Sequence, residues 1–236
     1  MIPDTLYQDL LTACSQPGCP VCRLENSAID NYLQTALREK LNDQTIRQDI
    51  KDSLGFCREH SWRMRSLGLG KTMAATLGYH DVLLAVVQQL QRVDLAPRQP
   101  KRSLSLRKRV HAPGGRFETI VKALTPPKSC PACRIGEDYS RSILGTLADS
   151  IQDQTVSNAF VSSDGLCLPH LRQAFALIED EETCKTFLTL NIERFEGLRR
   201  EVIAIFRKIE QRDKKSTSQD DDETWQKVIN AVNGER

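Results

Sequence analysis

Aromatic residues make up only 6% of this 236-residue chain, and alternation of apolar and polar side chains at period two is nearly absent. Strands depend on that alternation and on aromatic and β-branched residues, so a predominantly β fold is excluded. No run approaches the roughly 18 apolar residues of a membrane span. The opening MIPDTLYQDL has neither the basic region nor the apolar core of a secretory leader, so a cytoplasmic location and no membrane partner are expected. Net charge is also scarce: 33 Lys and Arg against 31 Asp and Glu leave +2. No global field then drives the chain onto nucleic acid or lipid, and any basic function has to be local.

Apolar residues recur instead at three- and four-residue spacing, which predicts an all-α protein. Helices are expected over Thr5–Ala13, from Leu24 to about Leu41, and from a CxxH motif to about Gly68. Others are expected over 72–93, 117–124, from Ile135 to about Ile151, and over 182–211. Asp43 and Asp153 are the expected N-caps of further helices. Trp225, Val228, Ile229 and Val232 mark one short amphipathic helix after the polar stretch 213–223. In the longest helix, Phe187, Leu190, Phe195, Leu198, Val202, Ile205, Phe206 and Ile209 are expected to face inward.

Eight cysteines are present, six of them in a pattern that occurs twice. CPVCR at 19–23 is echoed by CPACR at 130–134, and GFCREH at 55–60 by GLCLPH at 165–170. Between them, LNDQTI at 41–46 matches IQDQTV at 151–156 at the same offset of 110 that relates Cys57 to Cys167 and His60 to His170. Such order marks an internal duplication. The expected organisation is a first unit over 1–93, a basic linker over 94–116, a second unit over 117–212 and a tail over 213–236, with the two homologous units related by a pseudo-twofold.

A CxxC turn aims two sulfurs at one ion, and CxxH at a helix start adds a sulfur and an imidazole nitrogen from one turn. Taken within each repeat, the ligand sets are Cys19, Cys22, Cys57 and His60, and Cys130, Cys133, Cys167 and His170. Each would be a closed Cys3His site, implying two Zn2+ per chain, with Arg23 and Arg134 placed to offset the negative charge. Four protein ligands leave no position for a reactive water, so a hydrolytic zinc enzyme is disfavoured and no catalytic residue is assigned. An iron–sulfur cluster or thiol redox chemistry remains the alternative cofactor reading. Cys14 and Cys184 fall outside the pattern and read as small apolar residues.

Other features are weaker. LGLGKT at 67–72 is similar to a phosphate-binding loop, but that motif needs Gly at 65, where Arg65 stands. His80 and His111 have no repeated partner. The 97–116 stretch carries seven Lys and Arg and no acid. Nucleic-acid binding through Lys101, Arg102, Arg107, Lys108 and Arg109 is a further alternative, against a solvated linker.

CPVCR, GFCREHSW, CPACR, GLCLPHL and DETWQKVINAVNG together resemble an uncharacterised bacterial family with tandem CPxC and GxCxxH motifs. The resemblance covers most of the chain. It implies a bacterial source and a repeated Cys/His helical protein, and no activity. The function expected is an interaction or regulatory scaffold held by metal, with an unidentified protein partner.

Overall fold

A computed structural model describes residues 4–39, 43–92, 118–211 and 219–235. The basic stretch 97–116, His111 and residues 213–218 lie outside the described residues. Eleven α-helices are found among those described, with no strand. They are α1 (Asp4–Cys14), α2 (Pro20–Gln34), α3 (Gln44–Asp52), α4 (Arg58–Ser66), α5 (Met73–Gln91), α6 (Glu118–Leu124), α7 (Pro131–Ser150), α8 (Gln154–Ser162), α9 (Leu168–Leu177), α10 (Glu181–Gln211) and α11 (Gln219–Asn233). A π-helical turn, Thr35–Glu39, follows α2, and a 3₁₀ turn, Leu69–Lys71, precedes α5.

Local chemistry explains the helix starts. Asp43 and Asp153 are extended and accept N–H bonds from Thr45 and Ile46, and from Thr155 and Val156, satisfying donors that the first turn leaves open. Pro20 and Pro131 stand as the first helical residues of α2 and α7, where a fixed φ and a missing N–H cost nothing. These two helices therefore begin inside the CPxC motifs, earlier than periodicity alone places them. Gly68 ends α4 at φ 73°, a left-handed position that suits glycine.

The chain divides into two compact units, and they are not the 1–93 and 117–212 halves. One combines Met1–Asp30 with Ile135–Arg236; the other is Asn31–Arg134. In the first, which we call the split unit, Leu10, Val21, Ile143, Leu144, Leu147, Val156, Phe160 and Phe187 form one core around α1, α7, α8 and α10. Phe160 and Phe187 pack with ring centroids 5.8 Å apart. Gly136 permits close helix packing there, since a Cβ would come within 2.9 Å of Ile29 Cδ1. In the second, the continuous unit, Leu33, Leu37, Ile50, Phe56, Met64, Leu69, Ala75 and Val82 are buried. Each fully buried side chain of this size contributes roughly 1.5–3 kcal/mol. On α10, Phe187, Leu198 and Ile205 face inward as the pattern predicts, but Phe206 is 58% exposed.

Candidate metal centres

Both GxCxxH motifs fold alike. Gly55 and Gly165 take φ of 96° and 68°, turning the chain so that Cys57 and Cys167 become the N-caps of α4 and α9. Neither thiol makes a side-chain cap bond. Both sulfurs stand at the N-terminal end of a helix. His60 and His170 follow one turn later, each with Nδ1 3.2 Å from the sulfur of its own motif.

The ligand sets are crossed. Cys19 and Cys22 meet Cys167 and His170, while Cys57 and His60 meet Cys130 and Cys133, the ligand atoms of each group lying within 4.8 Å of one another. The pairing expected within each repeat, Cys19 and Cys22 with Cys57 and His60, Cys130 and Cys133 with Cys167 and His170, is thereby corrected. All eight residues do converge in two groups, but the CPxC at 19–22 joins the CxxH at 167–170, and the CPxC at 130–133 joins the CxxH at 57–60. The reason is topological: one compact unit contains residues 19–22 and 167–170, the other 57–60 and 130–133.

Around a tetrahedral zinc ion, bonds of about 2.3 Å to sulfur and about 2.0–2.1 Å to nitrogen imply edges of about 3.8 Å for S···S and about 3.6 Å for S···N. In the split unit, Cys22 and Cys167 are 3.6 Å apart, and Nδ1 of His170 lies 3.6 Å from Cys19 and 3.3 Å from Cys22. In the continuous unit, Cys57 and Cys133 are 3.7 Å apart, and Nδ1 of His60 lies 3.6 Å from Cys130 and 3.4 Å from Cys133. Both groups have the size of a single-ion shell.

At the split-unit centre the buried thiols and imidazole perturb one another. Burial opposes the His170 imidazolium, yet hydrogen bonds to Cys167, Cys19 and Glu25 raise its pKa to about 11. Burial likewise disfavours a Cys19 thiolate, but bonds from Cys167, Cys22 and His170 hold its pKa well below the usual thiol value. Cys22 is pushed up by its bonds to Cys167 and Cys19 and by burial. In the continuous unit, Cys133 is raised chiefly by burial and next by the charge of Cys130.

Surrounding groups differ between the centres. Nε2 of His170 lies 3.0 Å from the Glu25 carboxylate, the arrangement that fixes a metal-bound imidazole through its distal nitrogen. Glu25 was not anticipated from the sequence, although a carboxylate one turn past Cys22 on α2 was the available signal. At the matching place after Cys133 stands Gly136, so that position supplies no such carboxylate. Gly234 and Glu235 also lie over the split-unit centre. The Glu235 N–H donates to Cys22 Sγ at 3.4 Å, and its carboxylate accepts from the Cys19 N–H at 3.1 Å. A Cβ on Gly234 would sit 3.4 Å from Cys22 Sγ and 3.6 Å from Cys167 Sγ. All four split-unit ligands are buried, whereas Cys57 and Cys133 are half-buried.

Arg23 and Arg134 act on the backbone. Arg23 donates to the Pro17 carbonyl and Arg134 to that of Ser129, at 2.5 Å, closing the turn that leads into each CPxC. Arg134 also pairs with Asp49 at 3.1 Å, and Lys128 with Asp49 and Asp52 at 2.9 and 3.0 Å, tying that turn to α3. Cys14 is buried, and burial pushes its thiol up to about 11. Cys184 is half-buried, and His80 is exposed beside Asp81 at 3.4 Å.

No described helix is long and apolar enough to cross a membrane. The chain is 31% identical over 83 residues to an uncharacterized 23.9 kDa protein in the xynA 3' region of Caldicellulosiruptor sp. (strain Rt8B.4). That match covers 35% of this chain and 39% of the relative's length. No solved structure matches the chain. A family model spans residues 9–236, and the chain belongs to the family of unknown function DUF6062.

Proposed function

We propose that this is a zinc protein in which two Cys3His centres clip distant chain segments together, holding a helical scaffold for interaction or regulation. One observation carries the reading: in each unit one S···S edge of 3.6–3.7 Å and three S···N edges of 3.2–3.6 Å match a tetrahedral shell, with all four donors within 4.8 Å of one another. The split-unit centre joins residues 145 to 151 positions apart and the continuous-unit centre residues 70 to 76 apart. Closing loops of that length is where a clip removes most chain entropy.

Structural zinc contributes roughly 10–16 kcal/mol in small domains, comparable to or above the whole net stability of a domain. Donors packed within 4.8 Å suit one ion better than the several irons of a cluster. Eight cysteines, none in a disulfide, go with a reducing cytoplasm.

Anaerobic purification followed by elemental analysis tests the metal. A colourless protein with two zinc per chain is expected; a brown one with iron and sulfide would replace the zinc reading by the redox one.

A further inference from the structure

A groove of about 840 Å3 opens in the continuous unit between α4 and α5, with none of the eight grouped Cys and His residues in its lining. Its walls include Trp62, Arg65 and Lys71, and its lining includes Ser61, Met64 and Tyr79. Trp62 is 58% exposed, with the Arg65 guanidinium 5.1 Å from its ring centroid. The Ser61 and Tyr79 hydroxyls bond at 2.9 Å. Two stackable planes, a second cation and a hydroxyl pair are therefore gathered in one concave place.

The other repeat does not build this groove. There the metal-ligand His170 is followed by Leu171, where His60 is followed by Ser61, and Leu171 is buried. Thr72 and Asp180 are matching helix caps, each accepting from the N–H three residues on. Registered on them, Tyr79 corresponds to Phe187, which is fully buried. Thr72 follows His60 by 12 positions and Asp180 follows His170 by 10, so two residues are added in the first repeat. The lengthened segment carries the left-handed Gly68 and the 3₁₀ turn, anchored by the fully buried Leu69 and leaving Gly70 and Lys71 exposed. An open, hydroxyl-bearing groove thus stands where the other copy is closed by apolar side chains.

Charge is divided between the units as well. Over Asn31–Arg134 there are 19 Lys and Arg against 8 Asp and Glu, and in the remainder 14 against 23. Among the described residues of Asn31–Arg134 the count is 11 Lys and Arg against 7 Asp and Glu, an excess of positive charge on the unit that carries the groove, which raises the local concentration of anions.

We propose that the groove binds a nucleotide, its base stacked on the Trp62–Arg65 planes and its phosphate held by Arg65 and Lys71. Base stacking on aromatic side chains and electrostatic capture of phosphate are the two terms that hold single-stranded nucleic acid without sequence readout. A free mononucleotide and one residue of a single strand present the same chemistry.

The test uses the full-length, metal-loaded chain with AMP, ATP and fluorescein-labelled single-stranded A10 and T10 RNA and DNA. Saturable binding to at least one probe is expected, weakened 5- to 150-fold by Trp62→Ala and at least tenfold by Arg65→Gln combined with Lys71→Gln. Metal content of each variant verifies that the unit is intact. Binding confined to ATP or AMP identifies the free nucleotide as the source, and tighter binding to the oligonucleotides identifies the strand. No saturable binding to any probe would overturn the proposal. So would binding that survives all three substitutions but disappears when Lys101, Arg102, Arg107, Lys108 and Arg109 are neutralised.

Discussion

At the scale of single residues, Glu25 separates orienting a ligand from being one. Its carboxylate faces Nε2 of His170, so Glu25→Gln leaves every metal donor in place while removing the charge behind the imidazole. The expected outcome is a 10- to 100-fold loss of zinc affinity at one centre only. Competition with a chromophoric chelator measures it; equal weakening of both centres would deny the assignment. A second residue-scale expectation concerns Asp153. Its pKa is depressed by the backbone N–H groups of Val156 and Thr155, so its stabilisation is complete above the ordinary aspartate value near 4. It is lost as pH falls through the lower folded-state value. Wild type should therefore outlast Asp153→Asn in thermal unfolding at neutral pH, with the gap narrowing below about pH 4. A gap that widened on acidification would contradict the cap.

At the scale of helices and motifs, the four Cys-containing turns were legible in the sequence because each has a local cause. Proline starts a helix inside CPxC, a left-handed glycine precedes CxxH, and aspartate caps the helix between them. Local spacing also identified all eight residues that converge. It could not identify the pairing, because choosing between Cys57 and Cys167 as the partner of Cys22 is a question of tertiary topology. Both choices obey the same motif spacing. The overlying 234–235 segment was equally invisible, since Glu235 reaches Cys19 from 216 residues away. It predicts unequal exchange. With Cys57 and Cys133 half-buried, and Cys19, Cys22 and Cys167 against Gly234 or Glu235, a strong chelator should remove one zinc quickly and one slowly. Deleting residues 233–236 should accelerate only the slow phase in stopped-flow chelation. A single phase in the full-length protein would remove the basis for calling 234–235 a cover.

At the scale of the whole molecule, neither sequence half coincides with a compact unit, because each Cys/His group draws on both halves of the chain. Fragments 1–116 and 117–236 should therefore each lack cooperative unfolding when alone. Mixed with zinc, they should form a one-to-one complex containing two ions, as read by light scattering and elemental analysis. Independent folding of either fragment would show that the halves are self-sufficient. On the zinc reading, stripping both ions from the intact chain should abolish the cooperative transition, since structural zinc contributes roughly as much as a domain's net stability.

The crossing of the ligand sets is tested most directly by counting zinc in two double variants after exhaustive dialysis. Cys22→Ser with Cys167→Ser removes two ligands of one centre and should leave one zinc per chain. Cys22→Ser with Cys57→Ser damages both centres and should leave none. The reverse result, no zinc in the first variant and one in the second, would place each metal within its own repeat and contradict the crossed assembly.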